Sequence, residues 1–299
     1  MDMKKTLLIV NPVAGRQKIR NALVDVVDVL VKAGHEITIY TTQKDVEPKS
    51  LLREKQGQYD YVVCSGGDGT FSEILSETMH WETRPILGYI PCGTTNDFAS
   101  GLGLPTDCKM AAMEIAAGEP RVFDAGKLND RYFSYVASFG AFTDVSYQTP
   151  QDLKNNLGYL AYLLESIKEL TAIKEIPVRI ETKDQVYEDS YVFGAITNAR
   201  TVGGMFKLSD SLVDLNDGLL EVMMIRMPRT PMDLSALVTA INTMNYDSSM
   251  FLHFQARSLK ITSQTPLEWT VDGEHYQGQG TDEILCIKDA FRLMMRNNI

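Results

Sequence analysis

The chain is poor in cysteine, has no long apolar run and no surplus of positive charge, and each shortage removes a class of protein. Only Cys64, Cys92, Cys108 and Cys286 occur in 299 residues. No two of them have the C-x-x-C spacing of a zinc or thioredoxin-type site. Cys64 and Cys286 sit inside apolar runs and read as small buried hydrophobes of a reduced protein. The first apolar run, Leu7 to Val10, is too short for the core of a signal peptide. No stretch approaches the ~20 apolar residues of a membrane span, so the expectation is a soluble, cytoplasmic protein. The formal net charge is −10. That argues against nucleic acid as a partner, because such binding rests on neutralising phosphates. Absent too are G-x-x-x-x-G-K-[ST], a G-x-G-x-x-G after a strand, H-E-x-x-H, G-x-S-x-G and an EF-hand loop, and the chemistries those motifs carry have no support. There is no internal repeat and no low-complexity linker.

What is present is an ordinary globular balance, 44% hydrophobic and 23% charged residues. At roughly 100–200 residues per domain, the length suggests two domains. The first third alternates two textures. Thr6–Val10 is a continuous apolar run, as in a strand buried on both faces. Ile19, Leu23, Val26, Val27, Leu30 and Val31 then recur at helical spacing over residues 19–33. Strands are predicted at 36–40, 59–65 and 85–90, and helices at 48–56, after residue 70 to about His80, and at 107–117. This rhythm predicts a parallel sheet covered by helices. Beyond about Arg121 short β-rich runs recur at 121–128, 131–139, 177–183, 186–197, 219–226, 257–263, 267–272 and 283–288. Turn residues separate them, which predicts a mostly antiparallel, sandwich-like second domain. Helices are expected at about 153–173 and 231–244. The expected division is residues 1–126, then 127–290, with 291–299 returning to the first domain and Phe291–Arg296 as a last strand.

The strongest chemical signal is Gly66-Gly67-Asp68-Gly69-Thr70, between a buried strand and a helix. Glycines let the backbone come close to a ligand, and amides at a helix start face a phosphate. Asp68 repels phosphate and so calls for a bridging cation, which points to Mg²⁺. Thr70 offers a hydroxyl. Asn11-Pro12-Val13-Ala14-Gly15 and Pro91-Cys92-Gly93-Thr94-Thr95-Asn96-Asp97 also end strands of the same sheet. Ligands of open α/β sheets bind beyond the carboxyl ends of the strands, so the three loops are expected to converge. An ordinary set of turns is the plainer reading, which the repeated polar donors weigh against.

Together these segments resemble the diacylglycerol kinase catalytic family, and the whole chain resembles its soluble bacterial lipid-kinase branch. The resemblance implies a first domain shared with NAD kinases and phosphofructokinases. It implies ATP and Mg²⁺ as cofactors and a lipid hydroxyl as acceptor, most simply that of diacylglycerol. The family's GGDGT motif falls on Gly66 to Thr70, its N-P-x-x-G loop on Asn11 to Gly15, and its G-T-x-N-D-F loop on Gly93 to Phe98. Nucleotide-binding roles are thereby implied for Asn11, Pro12, Val13, Ala14, Gly15, Thr42, Gly66, Gly67, Asp68, Gly69, Thr70, Glu73, Thr94, Thr95 and Asn96. Asp68 and Asp97, with Asp124 behind them, would organise the catalytic ion through water. Asp214-Leu215-Asn216-Asp217-Gly218-Leu219 resembles a structural Mg²⁺ loop, with Asp214, Asp217 and the Leu219 carbonyl as ligands. Read without the family it is a turn before a strand. Asp272-Gly273-Glu274 resembles the family's D-G-E motif, in which Glu274 would be the general base and Asp272 a catalytic partner. By itself Asp-Gly after a strand is a hairpin turn. The cleft between domains is where the chemistry is expected.

One segment departs from the family pattern. Phe206-Lys207-Leu208-Ser209-Asp210 replaces a proline-and-alanine stretch after Thr201–Met205, and this bears on the choice of substrate. A lipid acceptor also requires peripheral contact with a membrane surface. Leu153, Leu157, Tyr159, Leu160, Tyr162, Leu163, Leu164 and Ile167 supply apolar side chains for it, although such helix faces normally pack inward. The resemblance implies a homodimer. The competing readings are an NAD kinase-like enzyme, a kinase of phosphatidylglycerol or a sphingoid base, and a nucleotide-binding regulator without catalysis.

Overall fold

Thr6 to Val10 is buried at every position, which a strand achieves only when both faces of its sheet are covered. In the computed structural model, which describes residues 3–43, 48–140, 174–199, 201–202, 206–208 and 214–296, this run forms most of β1 (Lys4–Val10). A 3-10 turn at Gly15–Gln17 leads into α1 (Lys18–Lys32). Then follow β2 (His35–Thr41), α2 (Pro48–Glu54), β3 (Tyr61–Gly66), α3 (Asp68–Thr78), β4 (Ile86–Pro91), α4 (Asp97–Gly101) and α5 (Cys108–Ala117). Strands dominate after that: β5 (Glu119–Leu128), β6 (Arg131–Phe133), β7 (Val136–Gly140), β8 (Ile176–Thr182), β9 (Val186–Tyr191), β10 (Phe193–Thr197), β11 (Thr201–Val202), β12 (Phe206–Lys207) and β13 (Leu220–Ile225). Helix α6 (Pro231–Thr243) precedes β14 (Phe251–Ala256), β15 (Ser258–Ser263), β16 (Glu268–Val271), β17 (Glu274–Gln277) and β18 (Thr281–Met295). The expected helix over 153–173 lies outside the described residues, as do 203–205 and 209–213 of the segment that departs from the family pattern.

The chain divides into two units. The first is Met1–Ala125 with Arg131–Ser134 and Ile287–Ile299; the second is Gly126–Asp130 with Tyr135–Cys286. In the first unit β2, β1, β3, β4 and the end of β18 lie side by side and parallel. Register fixes where their loops begin. Val10 pairs with Ser65, and Ser65 with Ile90, so β1, β3 and β4 all stop at one edge of the sheet.

Alternation along β4 sends Gly88, Ile90 and Cys92 to one face and Tyr89 to the other. The first face buries Leu8, Val10, Val63 and Ile90 against Ile19, Val26 and Leu30 of α1 and Ala111, Ala112 and Ile115 of α5. Gly88 permits this approach, since a Cβ there would lie 3.0 Å from Ile115 Cδ1. The other face is aromatic. Phe71 stacks on Tyr89 at 4.7 Å and on Phe98 at 5.1 Å, and Phe123 stacks on Phe291 at 5.5 Å.

In the second unit β14-β13-β10-β7-β16-β17 form an antiparallel sheet. There β15 pairs with β8 and with the first part of β18. Trp269 is fully buried, meets Phe139 edge-on at 5.0 Å, and donates from Nε1 to Asp282 at 2.9 Å. A buried indole is well placed only with such an acceptor.

Two expected runs are subdivided. Ser134 and Tyr135 separate β6 from β7, and Val192 separates β9 from β10. Conversely, the expected strand at 283–288 and the final one are the single strand β18. Asp289 takes φ +53° within it, and its amide donates to Asp124 Oδ1 at 2.8 Å. The Lys288-Asp289 pair thus bends the strand instead of ending it.

Candidate active site

Gly15, Gly67 and Gly93 stand where three chain segments meet at the shared strand edge. Gly15 has φ +40°, and a Cβ on it would lie 1.9 Å from the Cys92 carbonyl oxygen. A Cβ on Gly93 would lie 2.6 Å from Gly67 Cα and 2.5 Å from Asn96 Oδ1. Backbone therefore packs on backbone here, and no other residue type fits. The contacts are tied by hydrogen bonds: the Asn11 amide to the Ser65 carbonyl at 2.8 Å, and the Cys92 amide to the Gly66 carbonyl at 2.7 Å. Thr42 joins from β2, donating its amide to the Val10 carbonyl at 2.8 Å.

The side chains continue this binding. Asn11 Nδ2 donates to Thr70 Oγ1 at 3.2 Å, and Asn11 Oδ1 accepts from the Val13 amide. Asn96 is buried with φ +53°, accepts from the Gly93 amide at 2.9 Å and donates back to its carbonyl at 3.0 Å. Asp68 opens α3, with Gly67 as N-cap. Its Oδ2 accepts from the Asp97 amide at 2.7 Å and its Oδ1 from the Tyr89 hydroxyl at 3.1 Å. The Gly66–Thr70 and Gly93–Asp97 loops are joined through this one carboxylate.

The remaining candidates of the first unit differ in exposure. Val13, Thr94 and Thr95 are exposed; Pro12, Ala14, Glu73 and Asp97 are half-buried. Glu73 stands one turn of α3 beyond Thr70. Asp124 is fully buried and receives the Asp289 amide. Among the described residues no three His, Cys, Asp or Glu side chains gather as a ready cage for a metal ion. Asp68, Asp97 and Asp124 thus do not form a direct three-carboxylate ligand set. Beneath the loop the Cys92 and Cys108 thiols touch at 3.2 Å, and both are free and buried. The hydrogen bond with Cys92, and then burial, push the Cys108 thiol well above its ordinary value.

The candidates of the second unit form a second connected set. Asp272 and Gly273 both take positive φ, +48° and +89°, and close a two-residue hairpin in which Val271 faces Glu274. Such turns need residues that tolerate the left-handed region. Asp272 is buried, and its Oδ1 accepts the amides of Tyr135 and Val136 at 2.9 and 3.0 Å. Its carboxylate is thus a fastening for the hairpin, and Glu274 stands exposed at the start of β17. In the loop before β13, Asp214 Oδ1 accepts the Asn216 amide and Asp217 Oδ1 the Leu219 amide. Each carboxylate keeps its other oxygen, and with the Leu219 carbonyl these are hard oxygen donors of the kind Mg²⁺ takes. Sequence reasoning passed over Asn198. It is buried, donates from Nδ2 to the Leu215 carbonyl at 3.4 Å and from its amide to the Tyr135 carbonyl at 3.2 Å. It links the acidic loop to the strand on which the Asp272 hairpin is fastened.

Comparison with known proteins agrees with both halves. Residues 5–128 match the diacylglycerol kinase catalytic domain. Residues 136–294 match the YegS C-terminal NAD kinase β-sandwich-like domain. A diacylglycerol kinase of Staphylococcus saprophyticus is 32% identical over 99% of this chain and 97% of its own length. One of Bacillus subtilis is 30% identical over 91% of this chain and 90% of its own. The crystal structure of a diacylglycerol kinase from Bacillus anthracis str. Sterne covers 99% of this chain and 98% of its own, with a TM-score of 0.76 at 25% identity. No helix among the described residues is long and apolar enough to cross a membrane.

Proposed function

The chain belongs to the diacylglycerol kinase family, and from that membership we propose that it transfers the γ-phosphoryl group of ATP to the hydroxyl of diacylglycerol, giving phosphatidic acid and ADP. The observation that carries the reading is the junction of Gly15, Gly67 and Gly93 at the carboxyl edge of a parallel sheet, with Asp68 fastened beside it. Phosphoryl transfer depends on alignment and charge neutralisation more than on covalent help. The loops Asn11–Gly15, Gly66–Thr70 and Thr94–Asn96 hold the phosphates through backbone amides and the Thr70 hydroxyl, and Thr42 and Glu73 complete the nucleotide site. With no Cβ atoms at the junction, the three loops pack backbone to backbone, which brings their amides together at one edge of the sheet.

Mg²⁺, when bound with ATP, neutralises charge that builds on the transferring group and on the leaving phosphate. Asp68 and Asp97 would hold it, with Asp124 as a supporting carboxylate. Asp214, Asp217 and the Leu219 carbonyl would hold a second, structural ion. Glu274 takes the proton of the acceptor hydroxyl as the oxygen attacks the γ-phosphorus and ADP leaves. Asp272 positions that base by fastening its hairpin. The acceptor lives in a bilayer, so the protein works in peripheral contact with a membrane.

The test is transfer of label from γ-labelled ATP to lipid in mixed micelles, with and without Mg²⁺. Diacylglycerol, phosphatidylglycerol, a sphingoid base and NAD are offered separately. Label is expected on diacylglycerol, dependent on Mg²⁺, and reduced at least ~100-fold in Asp68→Asn and in Glu274→Gln, with ATP binding kept in the latter. Label on NAD alone would overturn the acceptor. Full turnover by Glu274→Gln would remove it as the base.

A further inference from the structure

Tyr89 is out of keeping with its strand. Its neighbours Leu87 and Ile90 are aliphatic, as expected in a sheet covered on both faces. Tyr89 is 2% exposed, and a phenol so deep is costly unless its hydroxyl finds a partner. The partner it finds is Asp68 Oδ1, at 3.1 Å. The other oxygen of the same carboxylate is taken by the Asp97 amide at 2.7 Å. Two donors from two different elements thus fix the plane of the Asp68 carboxylate. Its backbone is fixed as well, as the first residue of α3.

The ring is also held. Tyr89 stacks on Phe71, three residues after Asp68 on α3, at 4.7 Å, and lies 6.4 Å from Phe98, the residue after Asp97 on α4. The aromatic side chains following the two acidic residues therefore clamp the ring whose hydroxyl orients one of them.

We propose that Tyr89 is a positioning residue for phosphoryl transfer, its hydroxyl holding the Asp68 carboxylate at the angle from which it serves the hydrated Mg²⁺. This rests on the reading of Asp68 given above. A carboxylate deprived of the phenol turns about its side-chain bonds, and alignment is what this reaction depends on. A hydrogen bond to a charged group accounts for roughly tenfold to a hundredfold in an equilibrium or rate.

The experiment compares wild type, Tyr89→Phe and Asp68→Asn. Phenylalanine keeps the stacking on Phe71 and Phe98, so the melting temperature reports whether the fold is intact. Expected in Tyr89→Phe are a fall in kcat of roughly tenfold or more, an unchanged KM for lipid, and a higher Mg²⁺ concentration for half-maximal activity. Calorimetric titration supplies a readout independent of turnover, in which Mg²⁺ should strengthen ATP binding less in the variant than in wild type. Wild-type kcat and Mg²⁺ dependence in Tyr89→Phe, alongside an inactive Asp68→Asn, would overturn the role of Tyr89 and leave that of Asp68 standing. An active Asp68→Asn would instead remove the reading on which the proposal stands. A loss of kcat explained wholly by a lower melting temperature, with the Mg²⁺ response unchanged, also overturns it.

Discussion

Gly93 has no room for a methyl group. A Cβ there would lie 2.5 Å from Asn96 Oδ1 and 2.6 Å from Gly67 Cα, so it would break the Asn96 contacts within its own loop and push the Gly66–Thr70 loop away. Gly93→Ala should raise the KM for ATP at least tenfold and cost about 1–3 kcal/mol of stability, measurable by steady-state kinetics and denaturant melts. An unchanged KM would mean that the junction is not where phosphate is held. The convergence of the glycine motifs could be read from sequence because three such segments end strands of one parallel sheet, which places their loops at a common edge. Tyr89 could not, because within Ile86–Ile90 it reads as one more strand-filling side chain. Its partner lies 21 residues earlier in the chain, and only the fold brings them together. Asn198 is hidden for the same reason, since its partners Tyr135 and Leu215 are remote in sequence.

Among the elements, the hairpin of β16 and β17 shows what local pattern can and cannot tell. The Asp-Gly turn was legible, because both residues must accept positive φ. Strand β17 was not. Glu274-His275-Tyr276-Gln277 is polar and carries no period-two signal, and it becomes a strand only by pairing with β16. Helix α4 is likewise short enough to pass for the tail of a loop. The buried Asp272 carboxylate accepts two amides, and that fastening gives the next prediction. Asp272→Ala leaves both donors buried without a partner and places alanine at φ +48°, so it should cost about 2–4 kcal/mol. Asp272→Asn retains an acceptor and tolerates the turn, and should recover most of the loss. Equal melting temperatures for the two variants would show that the carboxylate does not fasten the hairpin.

At the scale of the whole molecule, the parallel and antiparallel textures were legible because parallel strands need helical crossovers between them, whereas antiparallel ones follow one another through short turns. One contribution to the response to acid was not legible, because it comes from a buried ring at the edge of the first unit's sheet opposite the glycine loops. His35 opens β2 directly beside Lys4 of β1 and is 3% exposed. Thr6 Oγ1 donates to the Lys4 carbonyl, so it accepts from His35 Nδ1 at 2.7 Å. Nδ1 then carries the proton, and Nε2 is buried with no hydrogen-bond partner. A second proton would enter at Nε2 and meet no acceptor, with the Tyr61 ring edge-on at 5.0 Å and Lys4 nearby. Burial first, and Lys4 second, lower the histidine from 6.5 to about 4. Above pH 6.5 the ring is neutral whether the chain is folded or not, and the stability is fully present. As the pH falls the unfolded chain gains a proton that the folded one refuses, so stability drops by about 1.4 kcal/mol per pH unit until the folded ring also titrates. By about pH 4 the loss approaches ~3 kcal/mol. His35→Gln does not titrate and can still donate to Thr6, so its melting temperature should decline less between pH 7 and pH 5 than that of wild type. Parallel declines would show that His35 already accepts its proton in the folded protein, and that the acid sensitivity belongs to the carboxylates instead.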